Sequence, residues 1–440
     1  MLRSSVFGLG LKAVGILAAW GAQVLLARTV GVEAFGIYAT VVAWMTVLAV
    51  VAGFGMPLAA VRFLSIYRER ADWAQFRGFL REAVRLTVAS WLGVAGVVLA
   101  VFAVVPALSP LWLPMAAGMP MVLLLGLSSL AFSVFLADQM PLRAELLSGG
   151  VRSVLLGVVV AGLAGLGVFA QLGDVQAAAL AMGATVLAIA IGLGLQCVWL
   201  APVLAGRMRG PAVRGERAEW MASGLSAMVS VGAFALIERL DTILLSALAS
   251  PAEAGPYSVV ARLALMVSVA LAPVAAVVGP RGAQFLARGD RAGLQRLMSQ
   301  GALLTTGLGL SFALGLLVVS PLLLGLFGAE FVLGRSLLAV LLAGQVALAL
   351  AGVAGGVLAM AGQNRILMAA MGATVVLDMV LCLVLIPRFG MYGAGMATSL
   401  ALTANAALLV LAAARTVRVD TTIVGGLVLA LGHVRARRPV

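Results

Sequence analysis

Hydrophobic residues run through this chain in long unbroken blocks, neither alternating with polar residues nor set in amphipathic stripes. Twelve such blocks lie near 5–27, 35–61, 86–106, 111–137, 153–172, 175–204, 222–249, 255–280, 298–319, 332–361, 366–387 and 393–414. Short turns carrying Gly or Pro, or clusters of arginine, separate them. Each block is long enough to cross roughly 30 Å of hydrocarbon as an α-helix. Barrel strands would instead alternate apolar and polar residues over about ten positions. The pattern predicts an all-α polytopic membrane protein with 12 transmembrane helices. The opening segment MLRSSVFGLGLKAVGILAAWGAQVLLART is basic and then apolar, as a signal peptide is. Its apolar part is too long and leads directly into the next block, so an uncleaved first helix is expected.

The polar positions set the orientation. Arg62, Arg68, Arg70, Arg77, Arg81 and Arg85 follow the second block, and Arg207, Arg209, Arg214 and Arg217 the sixth. Arg281, Arg288, Arg291 and Arg296 follow the eighth. The alternate connections hold only Arg28, Arg335 and Arg388. The positive-inside rule then predicts cytoplasmic N- and C-termini. Between Arg62 and Arg85, Trp73, Phe76, Leu80 and Val84 recur at helical spacing, which predicts a helix in the interface plane. The run Ile423–Leu431 in the basic tail is too short to span.

The totals agree with this reading. Hydrophobic residues are 63% of 440, charged residues 10%, and mean hydropathy is +1.16. The net charge of +13 comes from arginines gathered between spans, which suits anionic headgroups rather than nucleic acid. Cys197 and Cys382 both lie in apolar runs, so no disulfide or metal site is expected. The one histidine, His433, sits in the tail, and the outer loops are a few residues long. Enzymes need positioned acids, bases or nucleophiles, so no enzyme, no catalytic residue and no cofactor are expected.

An internal repeat organises the chain. VGVEAFGIYATVVAW (Val30–Trp44) matches ASPAEAGPYSVVARL (Ala249–Leu263), aligning Gly36 with Gly255 and Tyr38 with Tyr257. Gly149 and Arg152 fall opposite Gly362 and Arg365. Leu172–Thr185 falls opposite Phe389–Leu402. The offsets of 219, 213 and 217 keep their order along the chain. Six spans per half is an even number, so the halves share orientation, with an axis along the membrane normal. The expected architecture is two parallel-related six-helix lobes around a central cavity, at 1–205 and 222–414. A cytoplasmic linker at 206–221 joins them, and 415–440 forms a basic cytoplasmic tail.

Charges inside spans cost roughly 2.5–3.5 kcal/mol each on insertion scales and mark function by default. ALIERLDTILL (Ala235–Leu245) carries three. Glu238 and Asp241, three apart, project from one helical face, with Arg239 turned about 100° from Glu238. Asp241 and Arg262 lie at matching depth on neighbouring helices, which would allow an ion pair. Arg239 and Arg262 are the candidate substrate-path residues, since a guanidinium fork matches phosphate geometry. Glu238, Asp241 and Asp378 are candidates for ion pairing or for coupling to H+ or Na+. Asp378 shows no evident partner in its own helix. Asp138 and Lys12 fall near span ends, where snorkelling accounts for them. Trp20, Trp44 and Trp91 read as packing or interface anchors.

ARTVGVEAFGIYATVVAWMTVLAVVAGFGMPLAAVRFL resembles the opening signature of the polysaccharide transporters. These include the Wzx-type O-antigen flippases of the multidrug/oligosaccharidyl-lipid/polysaccharide exporter superfamily. LIPRFGMYGAGMATSLALT (Leu385–Thr403), LFGAEFVLGRSLLAVLLAGQ (Leu326–Gln345) and LAMAGQNR (Leu358–Arg365) fit the same family, and the resemblance runs to about Val417. It implies a MATE-like fold whose lobes alternate access, moving a lipid-linked oligosaccharide across a bacterial inner membrane. Partners would be that substrate, membrane lipids and polysaccharide assembly proteins. A cation-coupled multidrug or metabolite exporter of the same superfamily is the alternative.

Overall fold

The computed structural model describes residues 2–105, 111–213 and 215–421, with side chains from Val14 onward apart from Ser230. The tail run Ile423–Leu431, His433 and the Lys12 side chain lie outside the described residues. All regular structure within them is helical. The first part comprises α1 (Leu2–Val30), α2 (Val32–Ala52), α3 (Met56–Glu69), α4 (Trp73–Val104), α5 (Trp112–Ala137), α6 (Pro141–Glu145), α7 (Val151–Gly165) and α8 (Asp174–Leu204). Next come α9 (Arg217–Leu248), α10 (Pro251–Arg288), α11 (Arg291–Gly325), α12 (Ala329–Val332), α13 (Arg335–Leu350), α14 (Ala354–Met360) and α15 (Asn364–Thr416). The chain divides into two compact units, Met1–Ile243 and Leu244–Val440.

Among the described residues nine helices are long and apolar enough to cross a membrane, or ten if α13 and α14 are one span. With α15 counted as two and the shorter apolar α1 added, they match the twelve expected, several in broken form. Helices α2 and α3 together form the second. A π-helical turn, Leu146–Gly150, fuses α6 to α7 in the fifth. In the tenth, α13 and α14 meet at a 44° bend. The 53-residue α15 holds two spans, because Gly390 adopts φ 55, ψ −133 and stops helical propagation. The Glu253 carboxylate accepts the Met391 amide proton at 2.6 Å there. A freed backbone amide in a membrane needs such an acceptor. At the tenth-span bend Thr305 and Thr306 donate to the Ala349 carbonyl at 3.3 and 3.4 Å.

The second span breaks at Gly53–Phe54–Gly55. Phe54 has φ 49 and Gly55 φ 64, both left-handed, and the chain re-enters a helix at Met56. Gly55 lies against the backbone of α9. A β-carbon on it would overlap the Gly224 carbonyl and sit 2.5 Å from the Met228 nitrogen.

The segment Arg62–Arg85 does not form an interfacial helix, which corrects the sequence reading. It is the end of α3 and the start of α4, joined by a tight turn with Ala71 at φ 53 and closed by an Asp72 cap on the Gln75 amide. Its aromatic residues have a better sink than the lipid surface. Phe63, Tyr67, Phe76 and Phe79 pack around the fully buried Trp220 of α9.

Each unit holds a Tyr–Thr hydrogen bond near matching repeat positions, buried in the first and part-buried in the second. Tyr38 meets Thr185 at 3.0 Å in the first, and Tyr257 meets Thr398 at 3.2 Å in the second. The tyrosines keep the offset of 219. The threonines are 213 apart rather than 217, a slip of four residues. Four residues are about one helical turn, so the same face is presented one turn away.

Candidate functional site

The first unit contains a cavity of about 630 Å³. It forms where the second span breaks: Gly53, Gly55, Leu58 and Val61 supply one wall. Ser128, Ser129 and Ser133 of α5 line another, with Glu145, Ser148 and Arg152 of the α6–α7 span opposite. Ser128 donates to Gln196 of α8 at 3.0 Å, and Ser133 to the Ser129 carbonyl at 2.9 Å. Ser128 is thus tied to the neighbouring α8, and Ser133 to its own helix.

Glu145 and Arg152 are the charged side chains lining this cavity, and the half-buried Arg152 is its cation. It follows directly on the π-helical turn, a distortion often found at functional positions. Its Cα lies eleven residues past the start of α6, about 16 Å along the helix axis. No described carboxylate forms an ion pair with it. In the sequence Arg152 stands out only as a repeat match to Arg365, which is exposed. The apolar block begins at 153, so Arg152 looked like a loop residue. The helix in fact starts at Pro141, which carries Arg152 into the bundle.

The sequence-predicted charges are distributed as follows. Glu238, Arg239 and Asp241 lie in the last third of α9. Glu238 is exposed, Arg239 half-buried and Asp241 buried. Arg239 Nε makes no hydrogen bond among the described residues. Arg262 is half-buried on α10 and belongs to the other compact unit. Asp378 is buried in α15. Contrary to the sequence reading it has a neighbour in its own helix: the Cys382 thiol, one turn on, approaches its Oδ1 at 3.9 Å. Trp91 donates to the Met119 carbonyl at 3.0 Å, the packing role expected of it.

At the arginine-rich end of the first unit, side chains expected to be solvated are instead tied together. Asp138, read from sequence as a snorkelling acid, has a side chain only 4% exposed. Arg207 holds both its oxygens at 2.6 and 2.9 Å, and Arg68 lies 3.4 Å away. The buried Arg77 donates to the Pro211 and Arg207 carbonyls, each at 2.8 Å, fixing the segment that leads into α9. Arg217 pairs with buried Glu82 at 2.8 Å. Tyr67 donates to Glu216 and accepts from the Trp220 indole at 2.7 Å. Burial, reinforced by the bond to Glu216, raises the Tyr67 phenol above its ordinary range, so it stays a donor. Asp138→Asn is expected to destabilise the protein by about 1–3 kcal/mol, because two arginines lose their buried anion. A lowered detergent melting temperature with the helical circular dichroism intact would show it.

Broken spans, membrane-length helices and a cavity lined by serines beside a half-buried arginine define a polytopic helical membrane bundle. The model of the polysaccharide biosynthesis protein family matches residues 3–286, well over half the chain, and the MatE family model matches residues 227–384. The chain belongs to the polysaccharide biosynthesis protein family. Among curated proteins it is similar to the probable low-salt glycan biosynthesis flippase Agl15 of Haloferax volcanii, 22% identical over 226 residues. That match takes in 51% of this chain and 48% of Agl15, so it spans about half the relative's length. Among solved structures, the lipid II flippase MurJ in an inward closed conformation superposes with a TM-score of 0.73. Identity is 13%, over 98% of this chain and 90% of that one. An inward-facing multidrug resistance MATE family transporter gives 0.69 at 13% identity, over 92% and 96%. At such identities the likeness establishes the fold alone.

Proposed function

We propose that this protein is a flippase that moves a lipid-linked oligosaccharide, carried on a polyprenyl pyrophosphate, across the membrane by alternating access. Its setting is the bacterial inner membrane during surface polysaccharide synthesis, with both termini cytoplasmic. The observation that carries the reading is Arg152, a guanidinium without an ion-pair partner among the described residues, beside a hydroxyl-lined cavity in a membrane-embedded bundle. Arg152 is half-buried inside a span, where a cation is costly unless an anion, a ligand or water compensates. The Glu145 carboxylate lines the same cavity. A pyrophosphate supplies two linked anionic groups whose oxygens match the planar donors of arginine. Serine hydroxyls on the facing wall suit the sugar or the remaining phosphate oxygens. The family membership and the glycan-flippase relative point to the same cargo class. Arg239 and Arg262 extend the set of candidate path residues. Glu238, Asp241 and Asp378 are the candidates for a coupling H+ or Na+.

The test is leaflet-resolved measurement of lipid-linked sugar in a deletion strain and its complemented counterpart. Accumulation on the inner leaflet, relieved by the wild-type gene, is expected. Accumulation on the outer leaflet, or none at all, would overturn the reading. The MatE match over 227–384 favours a second reading, a cation-coupled exporter of drugs or metabolites. That reading predicts altered drug susceptibility in the deletion strain with unchanged surface glycan.

A further inference from the structure

A second cavity, about 670 Å³, opens between α3 and α9 in the same unit. Its walls include Arg62, Glu219, Ser223 and Ser226, together with Leu58 and Val61. Those last two residues also line the Arg152 cavity, so the two spaces are neighbours across one pair of side chains. Arg62 lies seven residues before the end of α3, about 10 Å from it along the axis, and Glu219 sits in the first turn of α9. The pair is therefore at the arginine-rich end, whereas Arg152 is deeper.

The pairing of Arg62 differs from the other ion pairs of this unit. Its Nη2 meets Glu219 Oε1 at 3.3 Å, and the two side chains are 61% and 53% exposed. The Asp138 and Glu82 carboxylates, by contrast, are 4% and 1% exposed. An exposed pair is weak, contributing little net stability, and so is readily exchanged for a stronger partner. A pyrophosphate is one, since it can take both arms of the guanidinium fork.

We infer that Arg62 and Glu219 form a receiving station for the pyrophosphate of the lipid-linked cargo, from which it passes over Leu58 and Val61 to Arg152. Arg62 captures the incoming anion. Glu219 holds Arg62 in position beforehand and, as a competing anion, keeps the first complex short-lived so that the headgroup moves on. Ser223 and Ser226 supply hydroxyls on the α9 wall. The inference rests on the proposed function, in that it takes the same cargo and adds a first stop.

The test is stopped-flow binding of a fluorescent undecaprenyl pyrophosphate to the full-length protein in detergent. Inorganic pyrophosphate, undecaprenol and dioleoylphosphatidylglycerol serve as competitors. For Arg62→Gln, association should slow by about tenfold with equilibrium affinity much less affected, as for loss of a steering charge. Arg62→Lys should recover most of the rate, and Glu219→Gln should slow dissociation from the initial complex. Undecaprenol and phosphatidylglycerol should compete poorly. If Arg62→Gln associates at the wild-type rate while Arg152→Gln loses affinity, the receiving station is wrong and the flippase reading stands. If undecaprenol competes as well as the labelled pyrophosphate, or neither arginine variant changes binding, the flippase reading itself fails. Equal competition by phosphatidylglycerol would make Arg62 a general lipid-headgroup contact and overturn the station.

Discussion

Replacing Arg152 by Gln should abolish surface glycan while the protein still inserts and accumulates in the membrane. Gln keeps a similar length and two of the donors but removes the charge and the fork. A hydrogen bond to a charged partner is worth about 1.5–3 kcal/mol, which corresponds to roughly a 10- to 150-fold loss of affinity for a pyrophosphate. Two such bonds from one guanidinium would push transport below detection. Stability should move the other way. Arg152 lies inside a span with no ion-pair partner among the described residues, so the folded protein holds a cation at a cost that Gln does not incur. The variant should therefore melt at or above the wild-type temperature in detergent while failing to export. Quantitative immunodetection of surface glycan, beside thermal unfolding of the purified protein, reads both effects. Normal export by a well-inserted Arg152→Gln protein would remove Arg152 from the path.

Gly55→Val should prevent the first unit from assembling. Two penalties coincide at this residue. Its φ of 64 is left-handed, where a β-branched side chain is strongly disfavoured. Any β-carbon would also overlap the Gly224 carbonyl of α9, and backbone cannot step aside as a flexible side chain can. Strain of this kind costs about 1–3 kcal/mol from conformation alone, and the forced separation of α3 from α9 adds lost packing. Trp220, four residues before Gly224, would be drawn from its pocket among Tyr67, Phe76 and Phe79. The expected result is loss of the monodisperse peak in fluorescence-detected size exclusion. Gly93→Val in α4 is the control, since a β-carbon there meets nothing within 4 Å. A Gly55→Val protein that elutes and melts like wild type would show that the α3–α9 crossing is dispensable.

The contrast between these residues shows where sequence reasoning succeeds and where it stops. The spans 366–387 and 393–414 were separable in the sequence because Pro387, Gly390 and Gly393 punctuate a continuous apolar run. The structure keeps them as two segments of α15, meeting at Gly390. The break at Gly53–Gly55 was not legible, because a Gly-rich stretch inside a span also suits close packing in an unbroken helix. The tilt of Arg62–Arg85 into the protein was not legible either. An aromatic face at helical spacing fits a lipid surface and a protein groove equally well, and only the arrival of Trp220 from α9 distinguishes them.

The charged residues divide on the same principle. Glu238, Arg239 and Asp241 stood out because they interrupt an apolar block, and that is a local signal. Arg152 and Asp138 lie at the edges of blocks, where a charge is ordinary, and the half-burial of the first and burial of the second depend on helices distant in sequence. Arg207, which holds Asp138, is 69 residues away from it.

By itself the sequence determined the solvent and the long helical spans. A helix in hydrocarbon must satisfy its own backbone and reach across a fixed thickness, so length and hydropathy within each segment suffice to reveal it. Only the tertiary structure decided which spans break, which charges lie paired beneath the surface and which arginine lies beside a cavity. Those outcomes depend on which helices cross at a given depth, and no single segment carries that information.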